Sequence, residues 1–250
     1  MRYTVLTYIF CGYENVLEIE EKDPNAEYIL ITDDKNLKSD TWCVIYDPKL
    51  EGLSPFDKCY EVRWHPFRYA MTDIVLRIDG SIKVKKSLAP IIDEFERGNY
   101  DRCFLIHPKR NRIDVEYDVW TQTRGYSREQ ANKCIDMMRR LGYDFNNKGL
   151  VQGNFEIIRK TADNLNMNDF IFDFHKYLGT DGKIERVDQT ITSFVLQTLF
   201  QDRLKIMAVS GGIVTQSEFM QWYLHKTNRK LCDQARIQPY LFNKPIQVWR

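Results

Sequence analysis

The chain has 250 residues, of which 43% are hydrophobic and 13% aromatic, and its 36 Lys and Arg residues nearly balance its 35 Asp and Glu residues. This apolar content excludes a disordered chain, and the balanced charge disfavours a nucleic-acid-binding protein, which needs a local excess of cations. The length suits one substantial core or two small ones.

The first residues predict a strand rather than a targeting signal. The stretch from Tyr3 to Phe10 has no long apolar core and no small-residue cleavage site. No apolar run reaches the ~18 residues that a membrane-spanning helix needs. We therefore expect a cytoplasmic protein.

The six cysteines are scattered, and no two form a CxxC pair that would indicate a zinc or redox site. We expect them to be reduced and mostly buried. They are Cys11, Cys43, Cys59, Cys103, Cys134 and Cys232.

Short apolar runs alternate with helical patterns along the chain. Strands are predicted at Tyr3 to Phe10, Tyr28 to Thr32, Cys43 to Tyr46, Ile74 to Ile78, Cys103 to Ile106 and Phe155 to Ile158. Helices are predicted at Leu88 to Phe95, Arg128 to Leu141, Ala162 to Tyr177 and Asp188 to Phe200. This alternation favours an α/β fold with a mainly parallel sheet, in which ligands gather at the carboxyl ends of the strands.

Two candidate ligand-binding turns follow the first two strands. Gly12 and Tyr13 follow the first, and Asp33 and Asp34 follow the second. An Asp-Asp pair is typical of a surface turn or a helix cap. The functional alternative is a carboxylate that binds a nucleoside base or ribose, and both interpretations can hold together.

Asp79 and Gly80 follow the strand that ends at Ile78, and a helical pattern begins a few residues later. Asp-Gly is a common hairpin turn, but the Lys-rich stretch after Ser81 leads towards a helix rather than a matched return strand. A carboxylate at this position can hold a divalent cation against a diphosphate. Ser81 stands where a second carboxylate would complete an Asp-x-Asp motif, so Arg77 is an alternative source of positive charge.

His107 and Arg110 form part of a cationic cluster after the strand that ends at Ile106, with Glu116 nearby in the chain. Such a cluster can contact a phosphate or an acidic sugar. The alternative is a structural histidine at a strand end.

Asp188 begins the last predicted helix. It is either an N-cap, whose carboxylate accepts a backbone N–H, or a general base that acts on an acceptor hydroxyl. Spacing along the chain does not separate these two interpretations.

These motifs, in their order along the chain, resemble a family of glycosyltransferases from bacterial polysaccharide-synthesis loci and from plants, long catalogued as a domain of unknown function. The resemblance covers about Thr4 to Leu199. Glu14 stands where the family commonly has Asp, and Val187 is inserted between Arg186 and Asp188. The matching motifs are Gly12-Tyr13-Glu14, Thr32-Asp33-Asp34, Trp42, Arg63-Trp64-His65-Pro66, Ile78-Asp79-Gly80-Ser81-Ile82, His107-Pro108-Lys109-Arg110 with Glu116, and Arg186-Val187-Asp188-Gln189.

The resemblance implies a single GT-A-like domain, Rossmann-like, with helices on both faces of the sheet. It also implies a nucleotide-sugar donor, a carbohydrate or lipid-linked glycan acceptor, a Mn²⁺ or Mg²⁺ ion at Asp79, and a role in surface polysaccharide or capsule synthesis. Asp188 and His107 would then be catalytic residues. The implied donor-binding residues are Gly12, Tyr13, Asp33, Asp34, Arg63, Arg77, Asp79, Gly80, Arg110 and Gln189.

The chain divides by composition into residues 1–225, the expected catalytic domain, and residues 226–250, which are basic and aromatic. We expect the second segment to pack on the domain. The alternative is contact with an anionic membrane surface that carries a lipid-linked acceptor.

Two other classes of function share the same residues. One is a metal-assisted hydrolase, which would release free sugar without an acceptor. The other is a module that binds a glycan or nucleotide without turnover.

Overall fold

Seven strands of this protein form one central sheet. The computed structural model describes residues 2–107, 109–123, 127–178, 188–210 and 217–223. The strands are β1 (Tyr3–Ile9), β2 (Ala26–Thr32), β3 (Cys43–Tyr46), β4 (Ile74–Ile78), β5 (Ile82–Val84), β6 (Arg102–Ile106), β7 (Val151–Arg159), β8 (Ile206–Ser210) and β9 (Met220–Trp222). The sheet has the order β3-β2-β1-β4-β7-β6-β8, and β5 pairs with β9 in a separate two-stranded sheet.

Six of the seven strands run in the same direction. β1 is parallel to β2 and β4, β2 is parallel to β3, and β6 is parallel to β8. Only β7 is reversed in this sheet, and it pairs antiparallel with both β4 and β6. The predicted α/β class and mainly parallel sheet are therefore confirmed, and β7 brings its first residues to the edge where its neighbours end.

Helices cover both faces of the sheet, as the sequence predicted. The helices are α1 (Pro55–Trp64), α2 (Ala89–Arg97), α3 (Ile113–Thr123), α4 (Arg128–Arg140), α5 (Ala162–Leu178) and α6 (Asp188–Val195), which continues as a π-helical turn to Phe200. Successive side chains of a strand point to opposite faces. Accordingly, Val5 packs in a core with Ile92 of α2, whereas Leu6 packs with Val62 of α1. The helices α3 to α6 also lie on the α1 face, in a core that includes Trp64 and Phe104.

Several elements were not predicted. The apolar pattern of α1 is weak, and this helix is instead defined by its start, where the Ser54 side chain accepts the backbone N–H of Asp57 and Pro55 follows the cap. The helix α3 and the strands β8 and β9 were also not predicted from the sequence. The stretch after Ser81 forms β5 before α2 begins, so a helix does not follow Ser81 directly. As the sequence indicated, this stretch is not the return strand of a hairpin with β4, because β5 pairs with β9.

A large β-bulge interrupts the pairing of β6 with β7. Phe104 pairs with Glu156, but the next residue, Leu105, pairs with Gln152, so the register skips Gly153 to Phe155. On the other side, β7 keeps its register with β4 through Ile78 and Phe155. Bulges are common beside active sites because they redirect the chain.

The sequence led to expectations about the burial of the cysteines and about helices that could cross a membrane. Among the five cysteines that the structure describes, Cys103 and Cys134 are buried and Cys59 is partly buried, whereas Cys11 and Cys43 are exposed, so the expectation that most are buried was wrong for two of them. Within the described ranges, no helix combines the length and the apolar character needed to cross a bilayer. Cys232, Pro108, Arg186, Val187 and the segment 226–250 lie outside the described residues.

Candidate functional site

Asp79 and Asp188 approach the beginning of β7 from two sides. Asp79 follows β4, and its backbone N–H donates to the carbonyl oxygen of Asn154 at 3.0 Å. The helix α6 packs beside the first residues of β7, where the Val151 N–H donates to Ser193 Oγ at 2.9 Å. Because α6 starts at Asp188, this packing carries the carboxylate to the carboxyl edge of the sheet.

Gly153, in the bulge of β7, lies beside Asp188 and is linked to Asp79 through Arg77. A methyl group on Gly153 would lie 2.8 Å from Asp188 Oδ2 and 3.1 Å from both terminal nitrogens of Arg63. The carbonyl oxygen of Gly153 accepts a 2.6 Å hydrogen bond from Arg77, which also donates to Asp79 Oδ1 at 3.3 Å. Gly153 therefore contacts the Asp188–Arg63 pair through its Cα and the Asp79–Arg77 pair through its carbonyl.

A network of buried charges lies behind Gly153. The side chains of Arg63, Arg77, Arg102 and Glu156 are all buried. Glu156 accepts from Arg102 Nε at 2.6 Å, and its other oxygen lies 3.6 Å from Arg77 Nε. These four side chains thus carry three positive charges and one negative charge, and Glu156 lies against two of the three arginines.

Asp79 and Asp188 balance the two positive charges that Glu156 leaves uncompensated among the three buried arginines. Their side chains are 34% and 20% exposed, and they pair with Arg77 and Arg63, respectively. Burial and the neighbouring Arg77 lower the pKa of Arg63, as expected where two guanidinium groups are close together. Asp79 and Asp188 therefore also neutralise the buried guanidinium groups of Arg77 and Arg63.

His107 lies at the same edge of the sheet but outside this group. Its backbone N–H donates to the Leu150 carbonyl oxygen at 2.7 Å. Leu150 is four residues before Asn154, which bonds Asp79. The structure thus places His107 one strand beyond Asp79, across β7.

The imidazole of His107 is bonded to its own loop. Nδ1 accepts the backbone N–H groups of Lys109 and Arg110 at 3.2 and 3.0 Å. Partial burial and the adjacent Arg110 lower the pKa of His107 to about 4. The ring is therefore neutral at pH 7 with its proton on Nε2, a tautomer that donates rather than accepts at that atom.

Arg110 pairs with Glu116, a fully buried residue of α3 that also accepts the indole N–H of Trp120 at 2.5 Å. His107, Arg110 and Glu116 accordingly form one cluster that fixes the loop after β6. The sequence placed these three residues together, and the structure brings them into contact.

Asp33 links three elements near the ends of β1 and β2. Its Oδ1 accepts the Cys11 N–H at 2.8 Å, and its Oδ2 accepts from Lys58 of α1 at 2.7 Å. Burial alone would raise the pKa of Asp33, but the hydrogen bonds from Lys58 and Cys11 outweigh it and lower the pKa overall. Asp33 therefore holds the turn after β1 in place, whereas the sequence suggested only that Asp33 and Asp34 form a turn or cap of their own.

The turn that Asp33 holds has an uncommon backbone. Cys11 and Gly12 both have positive φ angles, of 53° and 59°, and the Tyr13 N–H closes the turn onto the Phe10 carbonyl oxygen at 3.0 Å. Glycine suits this left-handed conformation, whereas Cys11 is held in it by Asp33. The side chain of Tyr13 is 52% exposed beyond the turn.

The turns after β1 and β4 are neighbours. A methyl group on Gly80 would lie 3.0 Å from Ile9 Cγ1, 3.2 Å from the Tyr8 carbonyl oxygen and 3.5 Å from Glu14 Cγ. Gly80 therefore lets the Asp79 turn pack closely against β1. Asp34 is exposed at the same rim, where its side chain accepts the Asn36 N–H at 2.8 Å.

The predicted site residues thus fall into three groups along one edge. Arg63, Arg77, Asp79 and Asp188 meet around Gly153, and Gln189 follows Asp188, to whose Oδ1 it donates its N–H at 2.8 Å. The turns that contain Gly12, Tyr13, Asp33, Asp34 and Gly80 form the second group, and His107 with Arg110 forms the third.

Sequence reasoning missed the residues that support the site. Gly153 carried a usable signal, because a glycine inside a strand often marks a bulge or a close approach. Arg102 and Glu156 also carried one, because they are charged residues in strands that helices cover on both faces. Lys58 had no such signal, since its partner Asp33 is 25 residues away in the chain.

The donor set at Asp79 limits the kind of metal site that is possible. The described residues contain no cluster of three or more His, Cys, Asp or Glu side chains suited to a metal ion. One oxygen of Asp79 already accepts from Arg77. Asp79 therefore fits a Mg²⁺ or Mn²⁺ ion only in the mode in which one or two carboxylates and substrate phosphates share the coordination.

Comparison with known proteins gives a likeness at the level of structure and none at the level of sequence. No protein-family model matches the chain, and its sequence is similar to none of the curated proteins compared with it. Among solved structures, mouse xyloside xylosyltransferase 1 in its apo form is similar with a TM-score of 0.47 and 7% sequence identity. The alignment covers 87% of this chain and 88% of that one. At this identity the similarity assigns no role to any residue.

Proposed function

We propose that this protein is a GT-A-like glycosyltransferase that moves a sugar from a nucleotide-sugar donor to a carbohydrate acceptor. The observation that supports the proposal is the convergence of Asp79 and Asp188 around Gly153, from two different elements, at the carboxyl edge of a mainly parallel sheet. Two carboxylates in a crevice at this edge suit a substrate that carries a diphosphate at one end and a reactive sugar at the other.

The donor extends, in this proposal, from the turn after β1 towards Asp79. The exposed Tyr13 and the carboxylates of Asp33 and Asp34 line the nucleoside end. Asp79 faces the diphosphate. Arg77 is fully buried, so it acts by holding Asp79 and the Gly153 carbonyl rather than by touching the donor.

A divalent cation fits this scheme at Asp79. The residue that would hold Mn²⁺ or Mg²⁺ is Asp79, with diphosphate oxygens completing the coordination. The ion would supply positive charge to the departing diphosphate. The charge balance agrees, because Arg63 and Arg77 are already paired with carboxylates and leave no net positive charge for a donor.

Asp188 faces the reacting sugar. In an inverting reaction, the acceptor oxygen forms a bond to the anomeric carbon while the bond from that carbon to the diphosphate oxygen breaks. The hydroxyl proton passes to Asp188, and the nucleoside diphosphate leaves with the bonding electron pair. In a retaining reaction this proton acceptor is not required, and Asp188 then orients the acceptor.

His107 and Arg110 follow β6, which β7 separates from β4 and Asp79. At this position they suit the sugar or a phosphate. The remaining ring donor of His107 is Nε2–H, because Nδ1 accepts two backbone N–H groups. His107 is therefore assigned a hydrogen-bond donor role to substrate oxygens.

The proposal is tested by a transfer assay with a panel of nucleotide sugars, with and without Mn²⁺ or Mg²⁺, together with thermal-shift binding. A true donor raises the unfolding midpoint by linkage and is consumed only when an acceptor is present. Asp79→Asn should abolish the metal-dependent part of the midpoint shift. Asp188→Asn should keep donor binding and lose transfer.

Other outcomes would favour the two alternative classes. Release of free sugar at the same rate with and without acceptors would identify a hydrolase. Donor binding without consumption across a broad acceptor panel would identify a binding module. Equal metal-dependent shifts in the wild type and in Asp79→Asn would reject the metal assignment.

The biological role that we propose is surface polysaccharide synthesis, with an acceptor that is a carbohydrate or a lipid-linked glycan. The segment 226–250 is the candidate for membrane contact, because its cations are interspersed with aromatic residues. The intact protein should then bind anionic liposomes, and removal of residues 226–250 should abolish binding without changing the unfolding midpoint. No liposome binding by the intact protein would reject this contact.

A further inference from the structure

The ion pair between Arg63 and Asp188 joins two elements that are 125 residues apart in the chain. Arg63 lies near the end of α1, and its Nη1 donates to Asp188 Oδ2 at the start of α6. The side chain of Arg63 is 5% exposed, whereas that of Asp188 is 20% exposed. The carboxylate is thus the more accessible member of the pair.

Packing fixes the guanidinium of Arg63 independently of Asp188. The group lies 4.8 Å from the ring of the buried Trp64, and its helix packs against α5. A flat guanidinium stacked on an indole has little freedom to rotate. Arg63 therefore offers a rigid support, to which Asp188 is attached.

Gly153 creates the space for this attachment. A methyl group at Gly153 would collide with Asp188 Oδ2 at 2.8 Å and press on both terminal nitrogens of Arg63 at 3.1 Å. Asp188 Oδ1 meanwhile accepts the N–H of Gln189 at 2.8 Å, so both oxygens of the carboxylate are oriented. The backbone of β7, the end of α1 and the start of α6 together define the position of one functional group.

We propose that Arg63 is a positioning residue, which fixes Asp188 at Gly153 for reaction with the acceptor, and that it does not bind the donor. This inference rests on the proposed function. It changes the role that the sequence gave to Arg63, which was donor binding. The reason is geometric, because the guanidinium of Arg63 is almost fully buried and pairs with the more exposed carboxylate of Asp188.

The two roles of Arg63 predict different kinetics. Loss of a donor-binding residue raises KM for the donor. Loss of a positioning residue lowers kcat and leaves the donor KM nearly unchanged, because the donor still binds while the carboxylate is misplaced. A displacement of about 1 Å at a reacting group can cost on the order of 100-fold in rate.

The variants are Arg63→Met, Arg63→Lys and Gly153→Ala, measured for kcat and for donor KM. Arg63→Met should lower kcat by about 100-fold. Arg63→Lys should recover part of that loss, because it restores the charge without the planar fork. Gly153→Ala should reproduce the kcat loss with every charge retained. Arg68→Met is the matched control, because Arg68 pairs with Glu61 at the surface just after α1, and it should leave kcat unchanged.

A second measurement does not depend on activity. Urea-unfolding midpoints are compared for the wild type, Arg63→Met, Asp188→Asn and the double variant. If the pair exists in the free protein, Arg63→Met lowers the midpoint much more in the wild type than in the Asp188→Asn background. Additive midpoint shifts would overturn the inference, as would a rise in donor KM of tenfold or more with kcat unchanged in Arg63→Met.

The two proposals fail in different ways. Absence of transfer by the wild type with every donor would overturn the proposed function, while coupled midpoints would still support the pairing of Arg63 with Asp188. Transfer by the wild type with additive midpoints and an unchanged kcat in Gly153→Ala would overturn only the positioning role. Should Arg63→Met fail to fold, Arg63→Lys and Gly153→Ala provide the same kinetic comparison.

Discussion

Arg77 and Glu156 lie directly opposite each other on β4 and β7, with Arg77 Nε 3.6 Å from Glu156 Oε2, and neither side chain reaches solvent. Glu156 also pairs with Arg102 of β6 at 2.5 Å. One carboxylate thus connects the cations of two strands beneath the site.

Glu156→Gln should therefore be strongly destabilising. The change leaves Arg77 and Arg102 buried without their shared counter-ion, and breaking a buried ion pair from one side costs about 3–5 kcal/mol. The free energy of unfolding in urea measures the loss. Glu129→Gln is the control, because Glu129 pairs with Lys133 on the exposed face of α4 and should cost less than about 1 kcal/mol. Similar losses in both variants would refute the role of Glu156.

His175 should make the protein sensitive to mild acid. Its ring is buried in a stack on Tyr60 at 4.4 Å, and neither ring nitrogen has a hydrogen-bond partner among the described residues. Burial and the nearby Arg63 lower the pKa of His175 to about 3 from an ordinary value of 6.5.

The unfolded chain therefore binds a proton between pH 6.5 and 3 that the folded chain does not. The contribution of His175 to stability is complete above pH 6.5 and falls by about 1.4 kcal/mol per pH unit as the pH decreases through that window. His175→Phe should keep the stacking and reduce this loss, as measured by urea unfolding between pH 7.5 and 4.5. Parallel stability curves for the two proteins would contradict the prediction.

Two amide substitutions separate the structural role of His107 from its proposed role in substrate binding. Asn places an acceptor near the position of Nδ1, which receives two backbone N–H groups, whereas Gln places a polar atom near Nε2. His107→Asn should stay within about 0.5 kcal/mol of the wild type, and His107→Gln should lose about 1–2 kcal/mol.

Transfer activity then reports the role of Nε2–H. If this group donates to a substrate oxygen, His107→Asn will be stable yet slow, because its amide does not reach that position. Full activity in a stable His107→Asn would show that the histidine serves only its loop.

Asp33→Asn should loosen the turn after β1. The amide oxygen still accepts the Cys11 N–H, but the charge partner of Lys58 is lost in a partly buried pair, and hydrogen bonds to charged groups contribute about 1.5–3 kcal/mol. Donor affinity should fall with stability, which binding calorimetry and urea unfolding measure together. Asp34→Asn, at the exposed neighbouring position, should change stability by less than about 0.5 kcal/mol. A loss at Asp34 equal to that at Asp33 would refute the prediction.

The sequence predicted the α/β class and most of the sheet because those features follow from local patterns. The runs from Ile74 to Ile78 and from Cys43 to Tyr46 are the strands observed. The first is buried on both faces, and the second is a short, partly exposed strand at the edge of the sheet. The helix α1 was missed because its buried surface is contributed by Val62, Arg63 and Trp64 at its last turn, which is too few apolar positions for a periodic signal.

The candidate site was predictable only in part. Asp79, His107 and Asp188 could be placed at strand and helix ends from the sequence, since polar residues after apolar runs mark those ends. Their separation could not be predicted, because it depends on the reversed direction of β7, which places Leu150 beside His107 and Asn154 beside Asp79. The pairing of Arg63 with Asp188 depends on tertiary packing, across 125 residues of chain.

The bulge in β7 lets the distance between the site residues differ from what regular pairing of β6 with β7 would impose. Pairing with β6 is set on one side by Glu156 and on the other by Gln152, and Gly153 to Phe155 lie between them. Residues gained or lost within this bulge would move Asp188 relative to Asp79 while Glu156 and Gln152 kept their pairing with β6. In the proposed glycosyltransferase, the size of the sugar that fits between the two carboxylates would then depend on the length of this one segment of β7.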